Sequence, residues 1–313
     1  MSHLFPSFAG FTYKTAIAFE EGVTRRDPSP VVYSGGNYHA WYSRSTNDSS
    51  GYAASVWHAT SVDGHEWIER DEAISKGPRG SWDEHGVFTP TILVEEGEPG
   101  GSERFFLYYT AVAEPFTNDN GGPQGTKTAI GAAVSDSPGG PWVRIGETPL
   151  LRTRDDPSLF DSHRVDDACL IKREGMYWMY FKGRQLGGTP GETMMGVAFS
   201  DSPEGPFRKC EENPVIESGH EVCVWPHGDG VAALMAPVGP EGSTLQYSMD
   251  GMKFERIRSI DPPSAPGPYR EDRWRESSGP GIRWGLCQDV RTQREWPYLL
   301  RFDCDLRGAP APV

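Results

Sequence analysis

The sequence predicts an all-β fold, and within that class a five-bladed β-propeller. Three observations point there. The 313 residues hold 37 Gly and 27 Pro, so the chain turns often and its elements are short strands. Helical periodicity of any length is missing. One turn recurs four times: an apolar strand, a Ser with an Asp one or two residues on, then an aromatic on the return strand.

Residues 1–22 carry little signal and are set apart as a short N-terminal segment. Residues 23–313 are read as a single catalytic domain. Strand-like runs at 31–33 and 38–42 flank Ser34-Gly35-Gly36-Asn37, a clear hairpin turn. The recurring turn then appears at Asp63 (with Trp67), Asp136 (Trp142), Asp201 (Phe207) and, more loosely, Asp250 (Phe254). The copies lie about 50–70 residues apart, the spacing of a repeat architecture. Between them sit pairs of strand-like runs at 86–94 and 105–112, 167–172 and 176–182, 221–225 and 231–237, and 282–289 and 297–303. A unit of about four strands is one propeller blade. Inner strands are expected to start near residues 27, 86, 167, 221 and 282, which counts five blades. The competing reading is a generic β-sandwich, and four copies of one turn at blade-like spacing argue against it.

The formal net charge of −14 excludes a basic nucleic-acid-binding face and disfavours anionic membrane surfaces. It favours a neutral or cationic small-molecule substrate. The five cysteines are odd in number, form no Cys-x-x-Cys pair, and mostly sit in apolar runs, so buried free thiols are expected. No apolar run is long enough to cross a membrane. No basic stretch followed by an apolar one opens the chain, which predicts a cytoplasmic protein, or a periplasmic one if a leader has been trimmed.

Acidic residues stand at the heads of successive apolar strands: Asp27, Asp83, Asp167 and Glu221, the last beside His220. Taken singly, each reads as a turn residue or a solvated strand end. In a propeller, the same position in several repeats converges on the axis, and Asp27, Asp167 and Glu221 would share one funnel. Crowded carboxylates have their pKa values pushed apart, so that one serves as acid while another serves as base. Glycoside hydrolysis uses that arrangement. His220 is a candidate proton donor beside Glu221. Trp57, Trp82 and Trp225 are candidates to stack on a sugar ring, although most of the ten Trp residues must be packing. No His-Glu-x-x-His, Gly-x-Ser-x-Gly or phosphate-cradling loop occurs.

These residues resemble the five-bladed propeller glycosidases, and among them glycoside hydrolase family 117, whose members are α-1,3-(3,6-anhydro-L-galactosidases) acting on neoagarobiose and related agar fragments. The carriers are Arg25-Arg26-Asp27, Ser81-Trp82-Asp83 with Val87-Phe88-Thr89-Pro90, Phe160-Asp161-Ser162-His163, Ser218-Gly219-His220-Glu221-Val222 with Trp225, and the run from Gly281 to Cys287. The resemblance implies an inverting exo-hydrolase that releases a terminal sugar such as 3,6-anhydro-L-galactose from neoagaro-oligosaccharides. It makes Asp27 the general base and Asp167 an orienting acid, and leaves the general acid open between His220 and Glu221. It makes Thr89, His163, Lys182 and Arg283 substrate contacts. It implies no cofactor for the chemistry, a divalent cation held near the axis largely through water, and a homodimer. Family members carry an N-terminal helical extension that swaps between subunits; only about 22 residues precede the first blade here, so the swap is expected to be reduced or missing. Thr110 stands where a Gln is expected and Asp166 where a His is expected, and both changes bear on the sugar. The rival readings are another glycosidase of this scaffold (arabinofuranoside or galactoside), a phosphorylase, and a non-catalytic glycan-binding propeller.

Overall fold

A computed structural model describes residues 5, 8–96, 102–117, 125–221, 223–271, 281–292 and 295–307. Its strands form five sheets around one axis. Blade 5 opens with β1 (Thr12–Ile17), taken from the N-terminus. Blade 1 runs β2 (Val23–Arg26), β4 (Asn37–Thr46), β5 (Ser55–Ser61), β6 (Ile68–Ile74), with β3 (Val32–Ser34) paired to β4. Blade 2 runs β7 (Gly86–Glu95), β8 (Arg104–Val112), β9 (Ala129–Ser135), β10 (Val143–Arg144), with β11 (Leu151–Arg152) also on β9. Blade 3 runs β12 (Arg164–Arg173), β13 (Met176–Arg184), β14 (Met194–Ser200), β15 (Arg208–Lys209). Blade 4 runs β16 (Cys223–His227), β17 (Gly230–Met235), β18 (Thr244–Ser248), β19 (Glu255–Ser259). β20 (Ser264–Pro268), β21 (Ile282–Gln288) and β22 (Leu299–Leu306) complete blade 5.

The recurring Ser–Asp turn joins the third and fourth strands of blades 1 to 4. Short side-chain acceptors hold it. Ser61 Oγ accepts from the N–H of Gly64, and Asp63 Oδ1 from those of His65 and Glu66. Ser135 and Ser200 accept from Ser137 and Ser202 in the same way. Blade 5 lacks the turn because its fourth strand arrives from the other end of the chain: β1 pairs antiparallel with β22, Tyr13 opposite Phe302. The N-terminal segment therefore closes the ring within its own chain. Phe5 is fully buried, stacked 4.2 Å from His227 and edge-on to Trp225.

One expectation needs correcting. The run at 282 is the second strand of blade 5, and the inner strand is β20, starting at Ser264. Ser264, Pro266 and Gly267 read as loop, and only their place beside β21 makes them a strand. Apolar side chains fill the wedges between blades; Trp41, Tyr180, Trp225 and Phe302 are fully enclosed. All five cysteines are unpaired, with Cys169, Cys223 and Cys287 buried and Cys210 and Cys304 half-buried.

Candidate active site

Each inner strand, within it or just beside it, places one non-glycine residue in the left-handed region of backbone space. These are Asp27 (φ 51°), Thr89 (45°), Asp167 (48°), Glu221 (49°) and Ala265 (46°), one per blade. In β7, β12 and β20 the residue falls where the pairing with the second strand slips register. Such bulges re-aim a side chain and interrupt the ladder locally. Proline follows at 28, 90 and 266, tolerated because a bulge needs no ladder N–H. Left-handed backbone costs a non-glycine residue about 1–3 kcal/mol. The β-branched Thr89 is the least expected occupant.

Polar side chains from the second strands hold this ring. In four blades the residue before the left-handed position pairs across to one of them: Arg26 to Ser43, Phe88 to Thr110, Asp166 to Lys182, Ser264 to Gln288. Three of these partners, Ser43, Thr110 and Gln288, reach the next blade. Thr89 N–H donates to Ser43 Oγ (2.8 Å), Asp167 N–H to Thr110 Oγ1 (3.3 Å), and Asp27 N–H to Gln288 Oε1 (3.3 Å). Gln288 Nε2 also donates to Glu221 Oε1 (3.0 Å), while Ser264 Oγ and the Ala265 N–H donate to Glu221 Oε2 (both 2.9 Å). The Glu221 carboxylate is thus fixed from three sides.

One step outward along the strands, Arg26, Phe88, Asp166 and His220 enter a pocket of about 540 Å³ together with Tyr52, Phe116, Arg164, Lys182 and Arg184. On the other side of the ring, a cavity of about 490 Å³ is lined by Pro28, Pro30, Cys169, Cys223 and Pro266. The ring residues Asp27, Thr89, Asp167 and Glu221 line both, whereas the cations and His220 lie on the first side only.

Electrostatics separate the acids. Burial raises the Asp27 carboxyl above its usual range; Arg26, its Nε 2.7 Å from Oδ2, pulls it back, and Asp167 and Glu221 reinforce the rise. Burial acts on Asp167 too, but Lys182 Nζ, 2.7 Å from its Oδ2, outweighs it and holds Asp167 low. Asp166, 3.1 Å from the same Nζ, is raised by burial and by Asp167. Burial, with Lys182 nearby, brings the His220 imidazole down to about 4, so the ring is neutral at pH 7. Its Nδ1 lies 4.0 Å from Glu221 Oε1.

Of the residues singled out from sequence, the structure brings Asp27, Thr89, Asp167, Lys182, His220 and Glu221 together. Val222 of the same motif lies outside the described residues. Other candidates stand elsewhere. Trp57 is on the third strand of blade 1, under the Arg44 guanidinium and bonded to Ser55. Trp82 stacks on Tyr109, and Trp225 is core. Arg283 lines a separate surface pocket with Tyr38, Tyr269 and Trp284. His163 is buried just before β12 and does not line the axial pocket. Asp83, the acid at the head of β7, is tied to Arg144 at 2.7 Å, and the axial position of that blade belongs to Thr89. Sequence reading missed Arg26 as a partner of Asp27, and it missed Tyr52, Phe116, Arg164, Arg184 and Gln288. Arg26 was within reach, because it adjoins Asp27. The others come from loops, second strands and, for Arg164, the first residue of an inner strand, and carry no local signal.

The cation that the resemblance implies finds no ready-made direct ligands. Among the described residues no three His, Cys, Asp or Glu side chains converge to hold a metal ion, and the axial carboxylates are bonded to Arg26, Lys182, Ser264 and Gln288.

A ring of carboxylates on the axis of a five-bladed propeller defines a glycoside hydrolase. The family model described as "Glycosyl hydrolases family 32 N-terminal domain" matches residues 24–195, and the chain belongs to that family. The likeness to family 117 also holds. A family 117 glycoside hydrolase from the marine bacterium Zobellia galactanivorans is 29% identical, superposes with a TM-score of 0.83, and is matched over 97% of this chain and 92% of that one. Fructan 1-exohydrolase IIa from Cichorium intybus (15% identity, TM-score 0.58, 92% of this chain, 57% of that one) shares the fold. So does a fructofuranosidase from Schwanniomyces occidentalis (17%, 0.60, 96% and 58%). The chain spans little more than half the length of these last two. No curated protein matches the sequence.

Proposed function

We propose that the protein is an exo-acting, inverting glycosidase that removes a terminal sugar such as 3,6-anhydro-L-galactose from neoagaro-oligosaccharides. The observation that carries this reading is the ring itself: three carboxylates, Asp27, Asp167 and Glu221, held in one backbone geometry and lining one polar pocket. Asp27 is the general base. Its raised proton affinity strengthens it as a base, and Arg26 partly offsets the rise. Glu221 protonates the leaving oxygen. The neutral His220 beside it is a poor donor at pH 7, so its part is to orient the sugar and Glu221. Asp167, kept ionised by Lys182, steadies positive charge developing on the sugar ring.

Hydrolysis of neoagarobiose by the wild type and by Asp27→Asn, followed by NMR, tests the reading. The expected result is release of 3,6-anhydro-L-galactose, first seen as the inverted anomer, and loss of turnover in the variant. A retained anomer overturns inversion. Turnover by Asp27→Asn equal to wild type overturns the role of Asp27.

A further inference from the structure

Arg184 ends β13, two residues beyond Lys182, and lies directly across the antiparallel ladder from Arg164. Like charges at directly opposed positions repel. Both side chains are deeply buried, Arg164 2% and Arg184 5% exposed, which sharpens the conflict. Arg164 is accommodated: Nη2 donates to the Thr117 carbonyl at 2.9 Å and the guanidinium lies 4.3 Å over Phe116. Arg184 is not. Among the described residues its side chain has no hydrogen bond or ion pair, and its Nε is buried without an acceptor. The other buried cations in the pocket are matched: Arg26 by Asp27, and Lys182 by Asp166 and Asp167. A buried guanidinium facing a pocket without a counter-charge is costly unless the occupant supplies one.

We propose that Arg184, flanked by Arg164, is an oxyanion subsite, and that the sugar bound there carries a carboxylate or a sulfate ester. The inference rests on the glycosidase reading and adds to it a preference for oligosaccharides that carry an acidic substituent. Two residues of strand set Arg184 about 7 Å outward from the Asp166–Lys182 pair. The anionic group therefore lies toward the pocket mouth, away from the bond that is cut. The planar fork of an arginine suits either oxyanion.

Calorimetric titration of the wild type with glucuronate, galactose 6-sulfate and galactose tests this. The acidic sugars are expected to bind at least tenfold more tightly than galactose, with the better of the two identifying the oxyanion. Arg184→Gln should abolish that preference and Arg184→Lys should keep part of it, a change of about 10–100-fold for a charge-assisted bond. Equal binding of acidic and neutral sugars by the wild type overturns the proposal even if Arg184→Gln fails to fold. So does a preference unchanged in that variant. Turnover that requires inorganic phosphate and is lost in Arg184→Gln also overturns it, because the anion is then a co-substrate. Acid-selective binding without hydrolysis of any glycoside removes only the glycosidase reading. Hydrolysis of neutral glycosides without acid selectivity removes only this one.

Discussion

Blades 1, 3 and 4 differ from blades 2 and 5 at one position each. All five carry the same left-handed residue on the axis, within a few degrees, yet three present a carboxylate and two present Thr89 and Ala265. The geometry therefore belongs to the fold and the chemistry to the side chain. Thr89 and Ala265 still serve the acids. Thr89 is joined to Thr110, which also accepts the Asp167 N–H, and the Ala265 N–H binds Glu221. The two silent blades hold what the three acidic blades use.

Substitutions across the ring break or sharpen that contrast. The largest effect is expected at the acidic positions. Asp27→Asn should lower kcat/KM by about 10²–10⁴-fold. Glu221→Gln should do the same on natural glycosides and much less on aryl glycosides whose leaving group needs no proton. If His220→Gln shows that leaving-group dependence and Glu221→Gln does not, His220 is the acid.

Removing Lys182 should separate holding from chemistry. Lys182→Met leaves Asp166 and Asp167 buried beside each other without their cation. Breaking a buried ion pair from one side costs about 3–5 kcal/mol. Urea denaturation should show a lowered midpoint at pH 7, partly recovered at lower pH as the carboxylates take up protons.

His220 predicts a smaller, pH-dependent term. Its value near 4 in the fold lies below the usual 6.5, so the unfolded chain binds the proton more readily between the two. The stability contributed by the neutral ring is complete above pH 6.5 and is lost as pH falls toward 4. Melting temperature should drop less steeply over that range in His220→Gln than in wild type. Parallel curves would reject the burial argument.

The smallest effect is expected at a silent blade. Ala265→Gly relieves left-handed backbone while keeping the N–H bond to Glu221. A gain of about 1 kcal/mol by denaturation is expected, with turnover changed little. A larger loss of turnover would show that the Ala265 methyl shapes the pocket floor.

Much of this was legible in the sequence. The Ser–Asp turns marked the outer hairpins of blades 1 to 4, because each is a local hydrogen-bonding unit written in consecutive residues. Asp27, Asp167 and Glu221 were legible for a related reason: the repeat puts them in phase. Blade 5 was misplaced by one strand because its inner strand, with Pro266 and Gly267, has no strand signature, and its outer strand lies near residue 12. Trp57 looked like a sugar contact by residue type and Arg283 by the resemblance, and the fold carried both away from the axis.

The acidic total of −14 suggested a neutral or cationic substrate, while the pocket holds two facing arginines. Net charge sums a surface, whereas a binding site responds to the few groups within a Debye length or less. By itself the sequence determined the class of fold, the number of blades and the three acids, because local turns and in-phase repetition are properties of neighbouring residues. Only the tertiary structure decided which second-strand side chains hold the ring, which cations are matched and which is not. Those pairings join residues tens to hundreds of positions apart, and nothing short of the closed propeller brings them within reach.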